Sequence, residues 1–191
     1  MTGRPLRSGA MLAFALWLAA SAPAGQGPED FLLEDGDTIV FLGDSITQQG
    51  ARPQGYVSLF ELFCGVNGYE VKVINAGISG HESDDMLARL QRDVLAHEPD
   101  WVSVSCGVND VWHKNGPTLP EYKKNMTEIV ERIQASGAKV LLLTATPIYE
   151  NLDSPENKRL AAYNAFLREL AREKKLVLAD VNQGQQGDGI L

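Results

Sequence analysis

The residues of this sequence that could do chemistry stand directly after runs of apolar residues. Gly43-Asp44-Ser45 follows the apolar run at positions 39–42, and Gly77 and Asn109 follow the next two runs along the chain. Ser45 has two interpretations at this position. It is either a nucleophile held on a tight turn, or the N-cap of the next helix, since Ser and Asp are the usual caps.

Together these residues fit acyl transfer. A serine supplies the nucleophile, and the negative charge that develops on the carbonyl oxygen needs fixed hydrogen-bond donors. The backbone N–H groups of Ser45 and Gly77 and the side-chain amide of Asn109 could converge on one oxygen. Glycine at position 77 would let the backbone approach a substrate closely, and asparagine donates without needing a proton.

The elements that must position these residues follow from the alternation of apolar runs and helical patterns. Strands are predicted at 38–43, 71–75, 101–107, 138–147 and 176–181, and helices at 56–64, 83–98, 120–137 and 154–175. Strands that alternate with helices predict a parallel sheet with right-handed crossovers. The expected fold is α/β, a three-layer α/β/α sandwich with a five-stranded parallel sheet. In such a sheet, ligands bind beyond the carboxyl ends of the strands.

The helical periodicity also predicts which side chains are buried. In the first helix we expect Val57, Phe60, Leu62 and Phe63 to be buried, and Ser83 to cap the second helix. In the third helix the predicted core face is Tyr122, Met126, Ile129, Val130 and Ile133.

The N-terminal residues have the layout of a secretory signal peptide. Arg4 and Arg7 precede an apolar stretch at 10–20, and an A-x-A cleavage site ends at Ala24. The alternative is a membrane anchor, but the apolar core is about half of the ~20 residues that span a bilayer. We therefore predict a signal peptide at 1–24, a linker at 25–35 and one domain at 36–191, exported to the periplasm or the extracellular space.

Charge and cysteine content exclude several classes of protein. The formal net charge is −8, and no basic patch of the kind that binds nucleic acid is present in the sequence. Cleavage would leave 15 basic against 25 acidic residues, so the mature chain is not expected to insert into membranes or bind anionic ones. The two cysteines, Cys64 and Cys106, are predicted at opposite ends of the sheet, too far apart for a disulfide.

Three sequence blocks carry a resemblance to a known family. GDSIT, with Ser45, NAGISG, with Gly77, and GVND, with Asn109, occur in this order, each after a predicted strand. The chain resembles the SGNH, or GDSL, hydrolases over roughly residues 36–181. The resemblance favours the nucleophile interpretation of Ser45. Thr47 stands where a G-x-S-x-G elbow has its second glycine, which argues against the common α/β-hydrolase pattern.

The resemblance implies hydrolysis of an ester or thioester through an acyl-serine intermediate, without a metal or other cofactor. The implied substrates are ester-bearing small molecules, carbohydrates, acetylated ones included, or lipids. Asp44, Trp112, His113 and Tyr149 are assigned to substrate binding, with ordinary loop packing as the alternative for the last three. Short acyl chains are expected, because no long apolar lid segment occurs.

Other functions find less support in the sequence. No pair among His81, His97 and His113 has metal-ligand spacing, and no G-x-G-x-x-G or G-K-[ST] loop indicates nucleotide binding, although the sheet would also suit a flavodoxin-like protein. His97 is interpreted as structural, at a helix C-terminus. His81 and His113 follow the second and third blocks, but neither occupies the position of the family's catalytic base.

That base comes from a late Asp-x-x-His block after the fifth strand, and the chain offers only GDGIL there. On one interpretation Asp188 is the aspartate of this block and Leu191 stands in place of the histidine. On the other, which the short distance from the fifth strand favours, GDGIL precedes the block and the chain is cut short. The second interpretation predicts a truncated or non-catalytic protein with little activity of its own.

Overall fold

The centre of the fold is a parallel sheet that carries three sequence blocks at one edge. The computed structural model describes residues 32–186, and the side chains up to residue 183. The strands are β1 (Thr38–Gly43), β2 (Lys72–Gly77), β3 (Trp101–Ser105), β4 (Lys139–Leu143) and β5 (Val177–Ala179). They pair in the order β2-β1-β3-β4-β5, and every pair is parallel. The predicted five-stranded parallel sheet is confirmed.

Seven α-helices, and a 3-10 helix at Leu95–His97, connect or follow these strands within the described residues. The α-helices are α1 (Ser45–Gly50), α2 (Tyr56–Val66), α3 (Ser83–Asp93), α4 (Val108–Trp112), α5 (Leu119–Ala135), α6 (Pro155–Lys174) and α7 (Val181–Gln186). The four long helices match the four predicted ones, and the three short ones were not predicted. None of the helices in residues 32–186 has the length and apolar character to cross a membrane. The proposed signal peptide at 1–24 lies outside the described residues.

The apolar strands form a core because both faces of the sheet are covered, which gives a three-layer α/β/α sandwich. Val40 and Leu42 of β1 belong to a buried cluster that includes α3, α5 and α6. Phe41, between them, faces the other way and contacts the rings of Tyr56 and Phe60, at centroid distances of 5.8 and 5.3 Å. This alternation is what the two-residue period of a strand requires.

Helical periodicity identified the buried face of α5 correctly and that of α2 only in part. All five predicted core residues of α5 are fully buried. In α2, Val57 is buried as predicted, but Leu62 and Phe63 are 61% and 47% exposed. The prediction for these two residues is wrong, because α2 turns Val57 and Cys64 to the sheet and the opposite apolar stripe keeps much of its surface exposed.

The start of α3 also differs from the prediction. Glu82, not Ser83, is the N-cap, and it forms a capping box with Asp85. Ser83 is the first helical residue and is fully buried. Its backbone N–H donates to the carboxylate of Asp110, which follows β3. The start of α3 is therefore bonded to α4, the helix that follows β3, rather than capped by its own serine.

Candidate active site

In the turn after β1, Asp44 rather than Ser45 caps the helix that follows. Asp44 is the N-cap of α1, and its Oδ1 accepts a hydrogen bond from the Ile46 N–H at 2.8 Å. Ser45 is the first residue of the helix and is half-buried. Its hydroxyl has no hydrogen-bond partner among the described residues. Since Asp44 does the capping, the cap interpretation of Ser45 is wrong.

The side chain of Asp44 is buried rather than exposed to solvent. It is 3% exposed, and its burial, together with the charge of Asp110, raises the pKa of its carboxyl. Backbone N–H groups that bond to the carboxylate oppose that rise. The assignment of Asp44 to substrate binding gains no support from this position; its visible role is to fix the first turn of α1.

The N–H of Gly77 is not available as the oxyanion donor that the sequence suggested. It donates to Oδ1 of Asn75 at 2.9 Å, while Nδ2 of Asn75 donates to the carbonyl of Thr47 at 2.6 Å. A Cβ at position 77 would collide with the backbone of Thr47 and Gln48. Glycine is therefore required at position 77 to pack β2 against α1, and the predicted donor role is corrected.

The next glycine along the loop, Gly80, is in a more suitable position. It has a φ of 80°, no atom within 4 Å of the position that a Cβ would take, and a backbone N–H without a partner in residues 32–186. The loop is held at both sides: the N–H of Ile78 donates to the carbonyl of Gly43, and the carbonyl of His81 accepts from Asn109. Gly80 thus lies between the serine turn and the asparagine.

Asn109 is buried at the start of α4, as an amide used for catalysis would need to be. It is 4% exposed, and its Nδ2 donates one hydrogen to the His81 carbonyl at 2.9 Å. An amide nitrogen has two hydrogens, and the second one has no acceptor among the residues that the structure describes. Gly107, with a φ of 131°, makes the sharp turn from β3 into α4 that brings this side chain inward.

Asp110, the last residue of the third block, is bonded to the start of α3 and to the residue that follows β3. Its Oδ1 accepts from the N–H of Ser83 at 3.1 Å, and its Oδ2 accepts from the Cys106 thiol at 3.5 Å. Burial raises the pKa of Asp110, against the lowering effect of the Ser83 hydrogen bonds. Burial also raises the pKa of the Cys106 thiol, which the charges of Asp110 and Asp44 raise further.

Two histidines lie near the candidate oxyanion loop, and they differ in what their rings can do. The Nδ1 atom of His81 accepts a hydrogen bond from Nε of Arg89 at 3.0 Å, so the neutral ring has its proton on Nε2 and no free lone pair. The Nδ1 atom of His113 lies 2.6 Å from Oε1 of Glu82. With Nδ1 donating to that carboxylate, Nε2 of His113 keeps a free lone pair.

The three aromatic residues predicted to bind substrate do lie together. The ring of Trp112 stacks near His113, at a centroid distance of 6.4 Å, and meets Tyr149 edge to face at 6.1 Å. Trp112 and Tyr149 are 52% and 58% exposed. Trp112 is the last residue of α4, which follows β3, and Tyr149 lies in the loop after β4, so the group stands at the carboxyl edge of the sheet. Large exposed rings with this geometry are available to a ligand.

The end of β5 positions the segment that precedes Asp188. Arg168 donates twice to Asp180, at 2.7 and 2.9 Å, and Thr144 donates to the same carboxylate. Sequence reasoning missed this contact. Helix α7 begins directly afterwards, so a helix does occupy the interval between β5 and Asp188. The spacing reason for treating GDGIL as a segment before the block is therefore wrong, and residues 188–191 lie outside the described part.

No group of three or more His, Cys, Asp or Glu side chains with the arrangement of a metal site occurs in residues 32–186. The described arrangement can supply a serine hydroxyl at a helix start, N–H donors on Gly80 and Asn109 that lack partners in residues 32–186, and an aromatic surface at the carboxyl edge of the sheet.

Comparison with known proteins identifies the family of the chain. The model of the GDSL-like lipase/acylhydrolase family matches residues 41–189. The chain is 31% identical to an acetylxylan esterase of Geobacillus stearothermophilus over 166 residues, which cover 76% of each chain. It is 34% identical to the esterase TesA of Pseudomonas aeruginosa over 108 residues, 56% of this chain and 53% of TesA, so it matches about half of that relative.

Solved structures give the same result. The crystal structure of the acetyl xylan esterase AlAXEase superimposes with a TM-score of 0.74 and 32% identity, covering 78% of this chain and 79% of that one. Catalytic mutants of the Geobacillus acetylxylan esterase, in which a serine, an aspartate or a histidine is replaced by alanine, superimpose with TM-scores of 0.75 to 0.76. Ester hydrolysis is thus the activity of its named relatives, and the chain belongs to the GDSL-like lipase/acylhydrolase family.

Proposed function

We propose that this protein is a serine esterase in which Ser45 attacks the acyl carbon of a carboxylic ester. Its Oγ forms the new bond, its proton passes to a base, and the alcohol leaves with a proton. Water then hydrolyses the acyl-serine. The observation that carries the proposal is the division of roles at the helix start, where Asp44 caps α1 and leaves the Ser45 hydroxyl without a partner in residues 32–186.

The proposed oxyanion hole consists of the N–H groups of Ser45 and Gly80 and the second amide hydrogen of Asn109. Ser45 is the first residue of α1, and the first N–H groups of a helix have no partner within the helix. Gly80 replaces Gly77 in this role, because the N–H of Gly77 already donates to Asn75. Fixed donors of this kind stabilise the developing oxyanion.

The proposed substrates are acetyl esters of carbohydrates. Two relatives are acetylxylan esterases by name, and the chain has the exposed ring pair of Trp112 and Tyr149 at the rim of the site. Aromatic faces offer a flat apolar surface with little conformational entropy to lose, which suits the apolar face of a sugar ring. Export by the signal peptide at 1–24, with the catalytic domain at 36–191, completes the proposal.

The test is ester hydrolysis by the chain from residue 25 onward. p-Nitrophenyl esters of rising chain length and acetylated xylo-oligosaccharides serve as substrates. We expect turnover of short acyl chains that disappears in Ser45→Ala and persists in the control Ser58→Ala, a serine on α2 that has no part in the proposed site. Turnover that survives Ser45→Ala would contradict the proposal.

A second candidate is a chain with the nucleophile and oxyanion hole but little activity, and a specific observation favours it. In the described part, His81 has its Nδ1 lone pair occupied by Arg89. The sequence also has leucine at position 191, three residues after Asp188. A serine without a base is a poor nucleophile near neutral pH.

Leu191→His separates the two candidates. If Asp188 is the aspartate of the block, the substitution supplies the missing base and raises Ser45-dependent turnover by about 10²–10⁴-fold, the usual contribution of general base catalysis. Adding Asp188→Asn should remove most of that gain. If wild-type turnover is already substantial and does not change with Leu191→His, the low-activity candidate is wrong, and His113→Ala then tests the histidine paired with Glu82.

A further inference from the structure

We propose that Arg89 is a positioning residue that holds the serine turn and the oxyanion loop in their reactive arrangement. Sequence analysis did not select it, because it lies inside the predicted helix α3 between apolar core positions. The inference rests on the proposed function, since it concerns the same site.

The guanidinium of Arg89 joins the ends of two neighbouring strands. Nη2 donates to the carbonyl of Gly43 at 3.0 Å, two residues before Ser45, and Nη1 donates to the carbonyl of Ala76 at 2.8 Å, at the end of β2. Gly43 and Ala76 lie in adjacent, paired strands, β1 and β2. One planar group therefore sets the spacing of the two strand ends from which the serine turn and the oxyanion loop begin.

The same side chain reaches the third element of the site through His81. Nε of Arg89 donates to Nδ1 of His81 at 3.0 Å, and the carbonyl of His81 accepts the amide hydrogen of Asn109 at 2.9 Å. His81 follows Gly80 directly. Arg89 thus contacts His81, the residue that links Gly80 to Asn109, and so connects these two proposed donors to the serine turn.

Burying the charged side chain of Arg89 costs free energy unless its hydrogen bonds are satisfied. Arg89 is 5% exposed, and burial lowers the pKa of its guanidinium, opposed by the carboxylate of Asp93. Within residues 32–186, the acidic side chain that pairs with it is Asp93, at 3.4 Å. A charged group taken out of water is tolerated when its hydrogen bonds are satisfied, and here its acceptors are the backbone and ring groups of the site.

Lysine cannot reproduce these contacts. The guanidinium presents five donors in a rigid planar fork, whereas an ammonium is a point charge with three donors on a flexible stem. Arg89→Lys therefore keeps the charge and much of the volume but loses the simultaneous contacts to Gly43, Ala76 and His81. Arg92, on the same helix and 76% exposed at its side chain, offers the matched control Arg92→Ala, since it shares Asp93 but contacts none of the three.

The first measurement is hydrogen exchange followed by mass spectrometry on the whole chain, which does not depend on activity. In Arg89→Ala and Arg89→Lys we expect faster exchange at 43–48, 76–83 and 108–113, with α5 and α6 unchanged. Arg92→Ala should exchange like the wild type. If Arg89→Ala does not fold, the test is made with Arg89→Lys alone. Unchanged exchange in the three segments of a folded Arg89 variant would overturn the proposal.

The second measurement separates positioning from general stabilisation. We expect kcat to fall about 100-fold in Arg89→Lys, the scale of a small misplacement of reacting groups, with KM nearly unchanged. Guanidinium ion, added far below denaturing concentration, should restore part of kcat in Arg89→Ala but not in Ser45→Ala. Wild-type kcat in Arg89→Lys would overturn the proposal. If no wild-type turnover depends on Ser45, the proposed function fails, and hydrogen exchange alone decides the role of Arg89.

Discussion

Asp110 illustrates how much a single buried carboxylate contributes to this site. It accepts hydrogen bonds from Ser83 at the start of α3 and from Cys106 at the end of β3, and burial raises its pKa. The folded chain therefore binds this proton more tightly than the unfolded chain. Between the usual value of 3.8 and the raised value, the folded state holds more protons, so a rise in pH lowers the free energy of unfolding.

We expect this pH dependence in urea unfolding of wild type and Asp110→Asn. As pH rises from about 4 toward 7, the free energy of unfolding of the wild type should fall relative to that of the variant. Asp180→Asn is the control of opposite sign, because Arg168 lowers the pKa of Asp180. The advantage of the wild type over that variant should be lost as pH falls through the lowered pKa. A parallel pH profile for wild type and Asp110→Asn would contradict the expectation.

At the scale of elements, α2 differs from the other long helices in leaving an apolar stripe exposed. Leu59, Leu62, Phe63 and Val66 are 47% to 77% exposed and follow the spacing of one helical face. The stripe faces away from the sheet, because Val57 and Cys64 occupy the buried side. Apolar periodicity places these residues on a helix, but cannot tell which part of the apolar surface meets the sheet.

The exposed stripe gives a prediction about stability. Leu62→Ala should change the free energy of unfolding by no more than about 0.5 kcal/mol, as is usual for exposed positions. Leu90→Ala, at a fully buried position of α3, should cost about 2–5 kcal/mol through lost burial and the cavity left behind. Urea unfolding of both variants measures the difference. A cost for Leu62→Ala that approaches that of Leu90→Ala would mean that this face is covered in solution.

At the scale of the whole molecule, the two cysteines report on the fold. Cys64 and Cys106 are free and are 0% and 2% exposed, and burial raises the pKa of both thiols. The thiolate is the reactive form, so folding suppresses their reaction both by enclosure and by protonation.

A thiol reagent should therefore react slowly with the native chain. After denaturation without a reductant, both cysteines should react, giving two thiols per chain. The measurement is absorbance of the released reagent, with a reduced sample as the reference. Fewer than two thiols in the denatured, unreduced chain would contradict the free-thiol structure.

The strands, the long helices and the family could be predicted from the amino-acid sequence. The apolar runs predicted all five strands, and the period of α5 predicted its buried face, because burial of apolar side chains repeats locally with the geometry of a strand or helix. Three blocks in order, each after a strand, indicated the family. These signals lie within short stretches of sequence, so they do not depend on which distant residues the fold brings into contact.

The hydrogen-bond partners of the polar groups could be identified only from the folded structure, because many of these bonds join residues that are distant in sequence. Gly77 and Gly80 lie in one block, but only the contact of the Gly77 N–H with Asn75 shows which of them retains a free donor. In the sequence, Arg89 is an ordinary polar residue of a helix. The structure shows that it donates to the carbonyl of Gly43, 46 residues away. A buried donor must find an acceptor wherever the fold places one, and no local pattern encodes that partner.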